Sequence, residues 1–390
     1  MKVPILDLKA QYASIKAELE PKVLEILSSG GFVLGPEVEG LEKELAAYLG
    51  CRYAVGVSSG SDALIISLMA MGIGEGDAVV TTPFTFFATA GAISRLKARP
   101  VFCDIEETSF NLSASRYTEI LDANQKKGHP LKIKAVIPVH LYGQCVDMNG
   151  ILEASRHHGV AVIEDACQAI GAEYPASDGV KKACSMGDTG ALSFYPTKNL
   201  GGAGDGGLVL ANDQALADRL RALRTHGERT RYYYDFIGGN FRLDALQAAV
   251  LRVKLRHLED WQRKRRENAS LYDRKFRHSG MEEDGLITTP KPIYKDSGIT
   301  HYHTYHQYVI RVGKREQLMA FLKEREVGSS IFYPLPLHVQ KCFEYLGYRK
   351  GDFPASEKAA DEVLALPIYP EMSQEQVDWV VSSVADFYKK

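Results

Sequence analysis

Strand-like and helix-like segments alternate over roughly the first 210 residues, and no other feature of the sequence limits the possible folds as strongly. Apolar or β-branched runs typical of buried parallel strands lie at residues 54–57, 78–82, 100–104, 134–139 and 160–163. Patterns typical of helices lie at residues 37–49, 62–71, 86–97 and 148–158. Such alternation implies right-handed crossover connections. The sequence therefore predicts an α/β fold with a mostly parallel sheet between two layers of helices.

A long helical stretch separates this region from a second pattern. Residues 243–277 contain no Gly or Pro, and residues 252–277 carry ten Lys or Arg against four Asp or Glu. Without a series of aromatic residues, this basic stretch is typical of a solvated helix face rather than of a nucleic-acid surface. A strand at 307–312 and helices at 315–326 and 374–388 follow. We predict a large domain, residues 1–255 with an N-terminal helical segment, and a smaller C-terminal α/β domain, residues 256–390.

Charge and cysteine content exclude several classes of protein. The 390 residues include 47 Lys plus Arg and 49 Asp plus Glu, for a formal charge of −2. A nearly neutral chain has no overall field that would draw it to nucleic acid or to an acidic membrane. The longest apolar run, at residues 63–74, is too short to span a bilayer. The six cysteines lie far apart without a C-x-x-C pair, as expected for reduced thiols in the cytoplasm.

Three polar motifs follow predicted strands, at the sheet edge where open α/β folds bind ligands. The first, SSGSDAL at residues 58–64, joins a strand to a helix. The N–H groups of Gly60, Ser61 and Asp62 would be unpaired at the start of that helix, where the helix dipole favours an anion. Ser and Asp are also good N-caps without any ligand, so simple capping is the alternative.

The second motif, VIEDACQAIGA at residues 162–172, ends a buried strand with two carboxylates, Glu164 and Asp165. A carboxylate at a strand end can pair with a cation such as a protonated ring nitrogen, because opposite charges a few ångströms apart stabilise both charged forms. The alternative is that Asp165 caps the turn that follows.

The third motif, GALSFYPTKNLGGAGDGGLV at residues 190–209, places Lys198 among small, polar and glycine residues rather than on an amphipathic surface. Burial in such a turn would lower the pKa of the lysine and favour Schiff-base formation. The same stretch contains a formal G-x-G-x-x-G at residues 202–207. We reject a dinucleotide site there, because the glycines lead into a predicted strand at 208–211 and not into a helix.

Together, a phosphate cradle, a strand-end carboxylate and a lysine among glycines are the parts that pyridoxal phosphate requires. The cradle would hold the phosphate, the carboxylate would keep the pyridine nitrogen protonated, and the lysine would bond the aldehyde. The sequence therefore predicts a pyridoxal phosphate site.

These and further motifs resemble those of the DegT/StrS-like family of sugar-nucleotide aminotransferases, which have the aspartate-aminotransferase fold. The motifs are GPEVEGLEKELAAYLG, PVHLYGQ, EDACQAIGA, SFYPTKNLGGAGDGG and NFRLDALQAAVL, and the resemblance covers nearly the whole chain. It implies a seven-stranded sheet and a homodimer with shared active sites. It also implies ping-pong transfer of an amino group from glutamate to a 3- or 4-keto hexose of a nucleoside-diphosphate sugar, in amino-sugar biosynthesis.

The resemblance further implies roles for individual residues. Lys198 would bond the cofactor and move a proton, and Asp165 would contact the ring nitrogen. The other cofactor contacts would be Gly60, Ser61 and Ser193 at the phosphate, Gln168 beside the ring, Phe86 stacked on the ring, and Asn240 at the phosphate of the neighbouring subunit. For Phe86, ordinary core packing is the alternative.

Departures from the family's motifs are few. The family commonly shows N-S-R where this chain has Asn240-Phe-Arg242, and A-A-Q where it has Ala166-Cys-Gln168. Neither change removes a functional side chain. Lys198 argues against the family branch that carries His at this position and performs dehydration. Two other functions stay open: a sugar dehydratase or lyase on the same cofactor, and a non-catalytic regulatory relative.

The substrate pocket is less clearly marked. Arg229 and Arg231, in THGERTRYYY, could meet a diphosphate or a carboxylate, or could lie in a solvated loop. By resemblance, Phe332, Tyr333 and His338 match a segment that lines the sugar site in relatives, with core packing as the alternative.

Three further histidines lie close together in the sequence. His301, His303 and His306 have i, i+2 and i+5 spacing, which fits no helix face, and no carboxylate lies beside them in the sequence. We expect no metal site.

Overall fold

The computed structural model describes residues 1–126, 128 and 130–389 of the chain. Its strands are β1 (Tyr53–Val57), β2 (Asp77–Thr81), β3 (Arg99–Phe102), β4 (Lys132–Ile137), β5 (Ala161–Asp165), β6 (Glu173–Ala176), β7 (Gly179–Lys182), β8 (Thr189–Ser193), β9 (Gly207–Ala211), β10 (Glu228–Thr230), β11 (Tyr233–Tyr234), β12 (Ile287–Thr288), β13 (Tyr308–Val312) and β14 (Val363–Leu366). Its α-helices are α1 (Leu8–Ser29), α2 (Pro36–Leu49), α3 (Gly60–Ala70), α4 (Ala88–Arg95), α5 (Ala114–Gln125), α6 (Met148–His158), α7 (Gln214–Arg224), α8 (Ala245–Leu255), α9 (Leu258–His278), α10 (Arg315–Glu324), α11 (Pro354–Glu362) and α12 (Gln374–Tyr388).

The central sheet has seven strands within the described residues, in the order β1-β9-β8-β5-β4-β2-β3. All of its neighbours pair in parallel except β9, which runs antiparallel to β1 and to β8. The predicted α/β fold, with a mostly parallel sheet of seven strands, is confirmed. The carboxyl ends of β1, β5 and β8 therefore meet at one edge of the sheet, where the three sequence motifs begin.

Helices cover both faces of this sheet. On one face, Leu41 of α2, Tyr117 of α5 and Leu251 of α8 share one core. On the other face, Ile66 of α3 and Leu220 of α7 share a second core. Each fully buried aliphatic side chain of this kind contributes about 1.5–3 kcal/mol relative to an exposed one. The strand ends at the site are thus held by a core on each side.

A second, antiparallel sheet forms later in the chain, in the order β12-β13-β14. Tyr272 and Phe276 of α9 pack against it together with Leu318 of α10 and Val380 of α12. The N-terminus joins the same core, because Val3 is buried there and forms a parallel bridge beside α10. Among the helices of the described residues, none combines the length and the apolar composition that a membrane span requires.

The predicted single helix over residues 243–277 is wrong in one respect. The chain forms two helices, α8 and α9, that part at Arg256 and His257. Helix α9 begins against the same core as α8, at Leu258, and continues to the second sheet, where Tyr272 packs. Without a Gly or Pro at the break, the sequence contains no signal for this interruption.

Three helices, α5, α7 and α11, were missing from the sequence prediction. Helix α5 buries only Tyr117, Leu121 and Asn124, so its apolar stripe is thin. Helix α7 carried a readable signal: Asp213 caps its start by accepting the N–H of Leu216 at 2.7 Å.

Candidate active site

A cavity of about 530 Å³ opens at the carboxyl ends of β1, β5 and β8. The predicted site residues that line it are Gly60, Ser61, Phe86, Asp165, Gln168, Ser193, Lys198, Phe332 and Tyr333. Arg229, Arg231, Asn240 and His338 were also predicted, and they lie outside this lining. Residues from widely separated motifs therefore meet in one place, as ligand sites in open α/β sheets do.

The first motif forms the turn from β1 into α3. Ser59 caps the helix, with its Oγ accepting the N–H of Asp62 at 3.0 Å. The Asp62 carboxylate in turn accepts the hydroxyls of Ser58 at 2.7 Å and Ser59 at 2.9 Å. The N–H groups of Gly60 and Ser61 have no intrahelical acceptors by geometry. Capping and anion binding are thus compatible here, because different groups perform them.

Gly60 permits a close approach between two strand ends. A Cβ at this position would lie 2.6 Å from the Cβ of Ser193 and 3.1 Å from the Sγ of Cys167. Any other residue would push α3 away from β8. The predicted phosphate contacts Gly60, Ser61 and Ser193 therefore lie side by side on the cavity wall.

Asp165 and Glu164 face opposite ways at the end of β5. Asp165 is only 6% exposed, accepts the hydroxyl of Thr89 at 2.8 Å and the N–H of Cys167 at 3.2 Å, and lines the cavity. Glu164 is fully buried away from the cavity, beside His140 at 2.9 Å. Alternation along a strand requires this separation, so only Asp165 is available to a ligand.

Lys198 lies at the tip of a closed turn between β8 and β9. Its backbone N–H donates to the carbonyl oxygen of Tyr195 at 2.8 Å, and the N–H of Gly202 donates to that of Phe194 at 2.8 Å. Burial lowers the pKa of the Lys198 amine below its ordinary value, and the nearby Asp165 opposes this shift. A larger fraction of the amine is therefore neutral and nucleophilic than on a solvated lysine.

Gln168 connects the large sheet to a segment from the C-terminal part of the chain. Its Oε1 accepts the N–H of Tyr142 at 2.8 Å, and its Nε2 donates to the hydroxyl of Tyr333 at 3.0 Å. The Tyr142 hydroxyl donates to the carbonyl oxygen of Phe332. The ring of Tyr333 lies 6.2 Å from that of Phe86, which is half exposed and lines the cavity. The predicted segment at 332–333 thus covers the cavity.

His306 is a cavity residue that the sequence prediction placed in no functional role. Its Nδ1 lies 3.1 Å from Oδ1 of Asn199, whose Nδ2 donates to the carbonyl oxygen of Thr304 at 2.9 Å. This network assigns the His306 proton to Nδ1. Burial, reinforced by Lys198, holds the pKa of His306 well below its ordinary value. A neutral imidazole therefore lines the cavity.

The other two histidines of this stretch lie in different surroundings. His301 contacts Glu259 at 3.2 Å, and the ring of His303 stacks on that of Tyr305 at 4.0 Å. Among the described residues, no group of three or more His, Cys, Asp or Glu side chains could hold a metal ion.

The remaining predicted substrate residues have partners of their own. Arg229 pairs with Asp235 at 3.3 Å, and Arg231 lies over the ring of Tyr232. Nε2 of His338 lies 3.0 Å from the Glu357 carboxylate, and its ring packs on Phe353 in a buried cluster. Asn240 is exposed and forms a bridge with Thr225.

The cavity residues fit pyridoxal phosphate. The cradle at Gly60 has no room for a side chain, and Asp165 and Lys198 both line the cavity. The cofactor's phosphate, ring nitrogen and aldehyde require these three groups. Fold and cavity together define a pyridoxal phosphate enzyme with the aspartate-aminotransferase fold.

Comparison with known proteins identifies the family. The model of the DegT/DnrJ/EryC1/StrS aminotransferase family matches residues 13–385. The chain is 45% identical to a Geobacillus stearothermophilus protein named pleiotropic regulatory protein, over 100% of this chain and 99% of the relative. It is 37% identical to the UDP-N-acetyl-3-dehydro-α-D-glucosamine 3-aminotransferase of Acidithiobacillus ferrooxidans, over 96% of this chain and 95% of the relative.

A solved structure agrees with these relatives. The crystal structure of DesV from S. venezuelae, in complex with a ketimine intermediate, has a TM-score of 0.89 and 36% identity, and covers 100% of this chain and 99% of that chain. The chain belongs to the DegT/DnrJ/EryC1/StrS aminotransferase family. The resemblance stated from the motifs is confirmed, as is pyridoxal phosphate as the cofactor.

Proposed function

We propose that this enzyme transfers an amino group from glutamate to the keto carbon of a 3- or 4-keto hexose carried on a nucleoside diphosphate, in amino-sugar biosynthesis. One observation carries the proposal: Lys198, Asp165 and the start of α3 line the same cavity. The relative in A. ferrooxidans is named an aminotransferase of a UDP-linked keto-sugar, which supports this choice of acceptor.

Different side chains of this protein would perform different parts of the reaction. Pyridoxal phosphate, when bound, supplies an aldehyde that takes up the amino group and a ring that stores electrons. Lys198 holds the cofactor between reactions and moves a proton during them, and general acid–base catalysis by one positioned group contributes roughly 10²–10⁴-fold. Asp165 stabilises positive charge on the ring nitrogen.

The remaining contacts bind and orient. The N–H groups of Gly60 and Ser61, with the Ser193 hydroxyl, bind the phosphate. Gln168 and Phe86 line the cavity, where Gln168 would lie beside the ring and Phe86 would stack on it. Phe332 and Tyr333 would keep water from one side of the cavity.

We further propose a homodimer in the cytoplasm, with active sites shared between protomers and without nucleic-acid or membrane partners. Exposed apolar side chains support an interface: Leu24 of α1, Val33 after it, Tyr232 and Ile237 near the β10–β11 hairpin. Arg229, Arg231 and Asn240 lie on the same exposed segment, outside their own protomer's cavity. Across a two-fold axis, that segment would bring the arginines and Asn240 to the neighbouring site.

A substrate panel tests the proposed reaction. We expect purified enzyme with pyridoxal phosphate, glutamate and a set of nucleoside-diphosphate 3- and 4-keto hexoses to produce 2-oxoglutarate and one amino sugar. Glutamate alone should convert the cofactor to its pyridoxamine form, which a dehydratase or lyase does not require. If glutamate leaves the cofactor spectrum unchanged and no keto-sugar is aminated, the lyase or regulatory alternative replaces the aminotransferase.

A further inference from the structure

Lys254 is a buried lysine that lies outside the cavity. Lys254 belongs to α8 and is only 8% exposed. Its Nζ donates a hydrogen bond to the carbonyl oxygen of Gly201 at 2.7 Å. Burial lowers the pKa of this amine to about 8, and no carboxylate in the described part of the chain pairs with it. The amine is therefore still largely charged at neutral pH while buried against one carbonyl.

Such a position does not favour a lysine on grounds of stability. Burying an ammonium group without a paired carboxylate is costly, and replacing buried charges by apolar side chains of similar size is often neutral or stabilising. A methionine would fill the same space without this cost. The function of the Lys254 amine must therefore depend on its hydrogen bond to the carbonyl oxygen of Gly201.

That carbonyl belongs to the turn that carries Lys198. The turn closes where the N–H of Gly202 donates to Phe194, one residue after Gly201. Gly201 itself packs tightly within the turn, because a Cβ there would lie 2.3 Å from the carbonyl oxygen of Pro196. A group bound to Gly201 therefore fixes the closing end of the turn.

A second side chain of α8 contacts the same loop. Oε1 of Gln247 accepts the N–H of Ala203 at 2.7 Å, and a Cβ on Gly202 would lie 2.7 Å from that oxygen. Gln247 and Lys254 are seven residues apart and so project from the same face of the helix. The two contacts thus attach two nearby loop residues, Gly201 and Ala203, to the same helix.

Helix α8 is fixed in place by its packing against α1. Val250 and Val253 on it are buried in a cluster with Ile15 and Leu19 of α1. Because packed interiors transmit displacement rather than absorb it, the position of α8 sets the position of the loop.

We propose that Lys254 is a positioning residue for Lys198. With Gln247 it clamps the loop at 201–203 to α8, and the clamp sets where the Lys198 amine lies in the cavity. The inference rests on the proposed role of Lys198, but not on the identity of the sugar.

Lys254→Met separates positioning from stability. We expect its melting temperature without cofactor to equal or exceed that of the wild type. We expect kcat to fall about tenfold or more, since small misplacements of a reacting group have effects of this size. The visible spectrum of the enzyme loaded with pyridoxal phosphate, followed against pH, should shift its midpoint. Lys264→Met removes a half-exposed lysine of α9 that pairs with Asp260 at 2.8 Å; it is the matched control and should leave kcat and the spectral midpoint unchanged.

Gln247→Met provides an independent test. It should shift the same spectral midpoint, and its effect should be non-additive with that of Lys254→Met, because both loosen one loop. The inference is overturned if both variants keep the wild-type spectrum and kcat, or if activity falls only in proportion to a lower melting temperature. A Lys198→Ala protein that still bonds the cofactor covalently would instead overturn the proposed function, so the two failures are distinguishable.

Discussion

At the scale of single residues, the cavity's chemistry depends on Asp165, which accepts the hydroxyl of Thr89 at 2.8 Å, and on the buried Lys198. Asp165 and Lys198 were singled out by motif, and both line the cavity. To choose between Glu164 and Asp165, one must know which face of β5 meets the cavity. Two adjacent carboxylates in the sequence do not reveal that face. The hydroxyl of Thr89 on Asp165 could not be predicted either, because it joins residues 76 positions apart.

The buried histidines should make the fold sensitive to acid. His303 is buried, its Nδ1 accepts the N–H of Tyr305 at 2.9 Å, and burial lowers its pKa to about 3. Between this value and the unfolded value of about 6.5, the unfolded chain binds a proton that the folded chain does not, so stability falls as pH decreases. Over pH 7 to 5 this amounts to about 2 kcal/mol from His303.

Urea unfolding at pH 7 and pH 5 measures this effect. We expect His303→Asn, which keeps an acceptor for Tyr305 but does not titrate, to lose less free energy of unfolding between the two pH values than the wild type does. Equal losses in the two proteins would show that His303 is not a source of the acid sensitivity.

At the scale of elements, most helices and most strands of the central sheet were predicted, whereas the short strands β6, β7, β10, β11, β12 and β14 were not. The break between α8 and α9 lies near the point where the chain passes from the core of the central sheet to the core of the second sheet, and no local pattern encodes that passage. The motif at Ser59 raised a choice between capping and ligand binding, and the structure shows that a Ser cap leaves the N–H groups of Gly60 and Ser61 available.

The close contact between α3 and β8 makes a prediction about Gly60. We expect Gly60→Ala to weaken pyridoxal phosphate binding at least tenfold, because the added Cβ displaces Ser193, and to cost about 1–3 kcal/mol of stability through overpacking. Gly74→Ala is the matched control, since its Cβ would meet only an ordinary contact at 3.7 Å. Titration of both variants with cofactor measures this effect. Equal affinities would show that the turn at Gly60 does not bind the cofactor's phosphate.

At the scale of the whole molecule, the cavity depends on parts that are distant in sequence. Phe332 and Tyr333 reach it from beyond β13, and Asp104 binds the N–H groups of Ala355 and Ser356 at 3.0 Å each. The division at residue 255 stays a proposal, and Val3 packs with the C-terminal core. Such long-range contacts follow from topology, which motifs predict only through family resemblance.

The proposed dimer makes a prediction about Ile237. This residue is 93% exposed and closely follows the exposed Tyr232, Tyr233 and Tyr234, and clustered exposed apolar side chains mark interfaces. We expect Ile237→Asp to shift the protein from dimer to monomer in sedimentation experiments and to lower activity with it. Val180→Asp, at another exposed apolar position on β7, should remain dimeric. A wild-type monomer, or a fully dimeric Ile237→Asp protein, would contradict the shared-site proposal.

The central claim is that Lys198 bonds the cofactor. Enzyme loaded with pyridoxal phosphate would be reduced with borohydride, digested and mapped by mass spectrometry, with Lys198→Ala treated in parallel. The account predicts one modified peptide, with the cofactor on Lys198, and none in the variant. A cofactor attached to another lysine, or a modification that survives in Lys198→Ala, would contradict it.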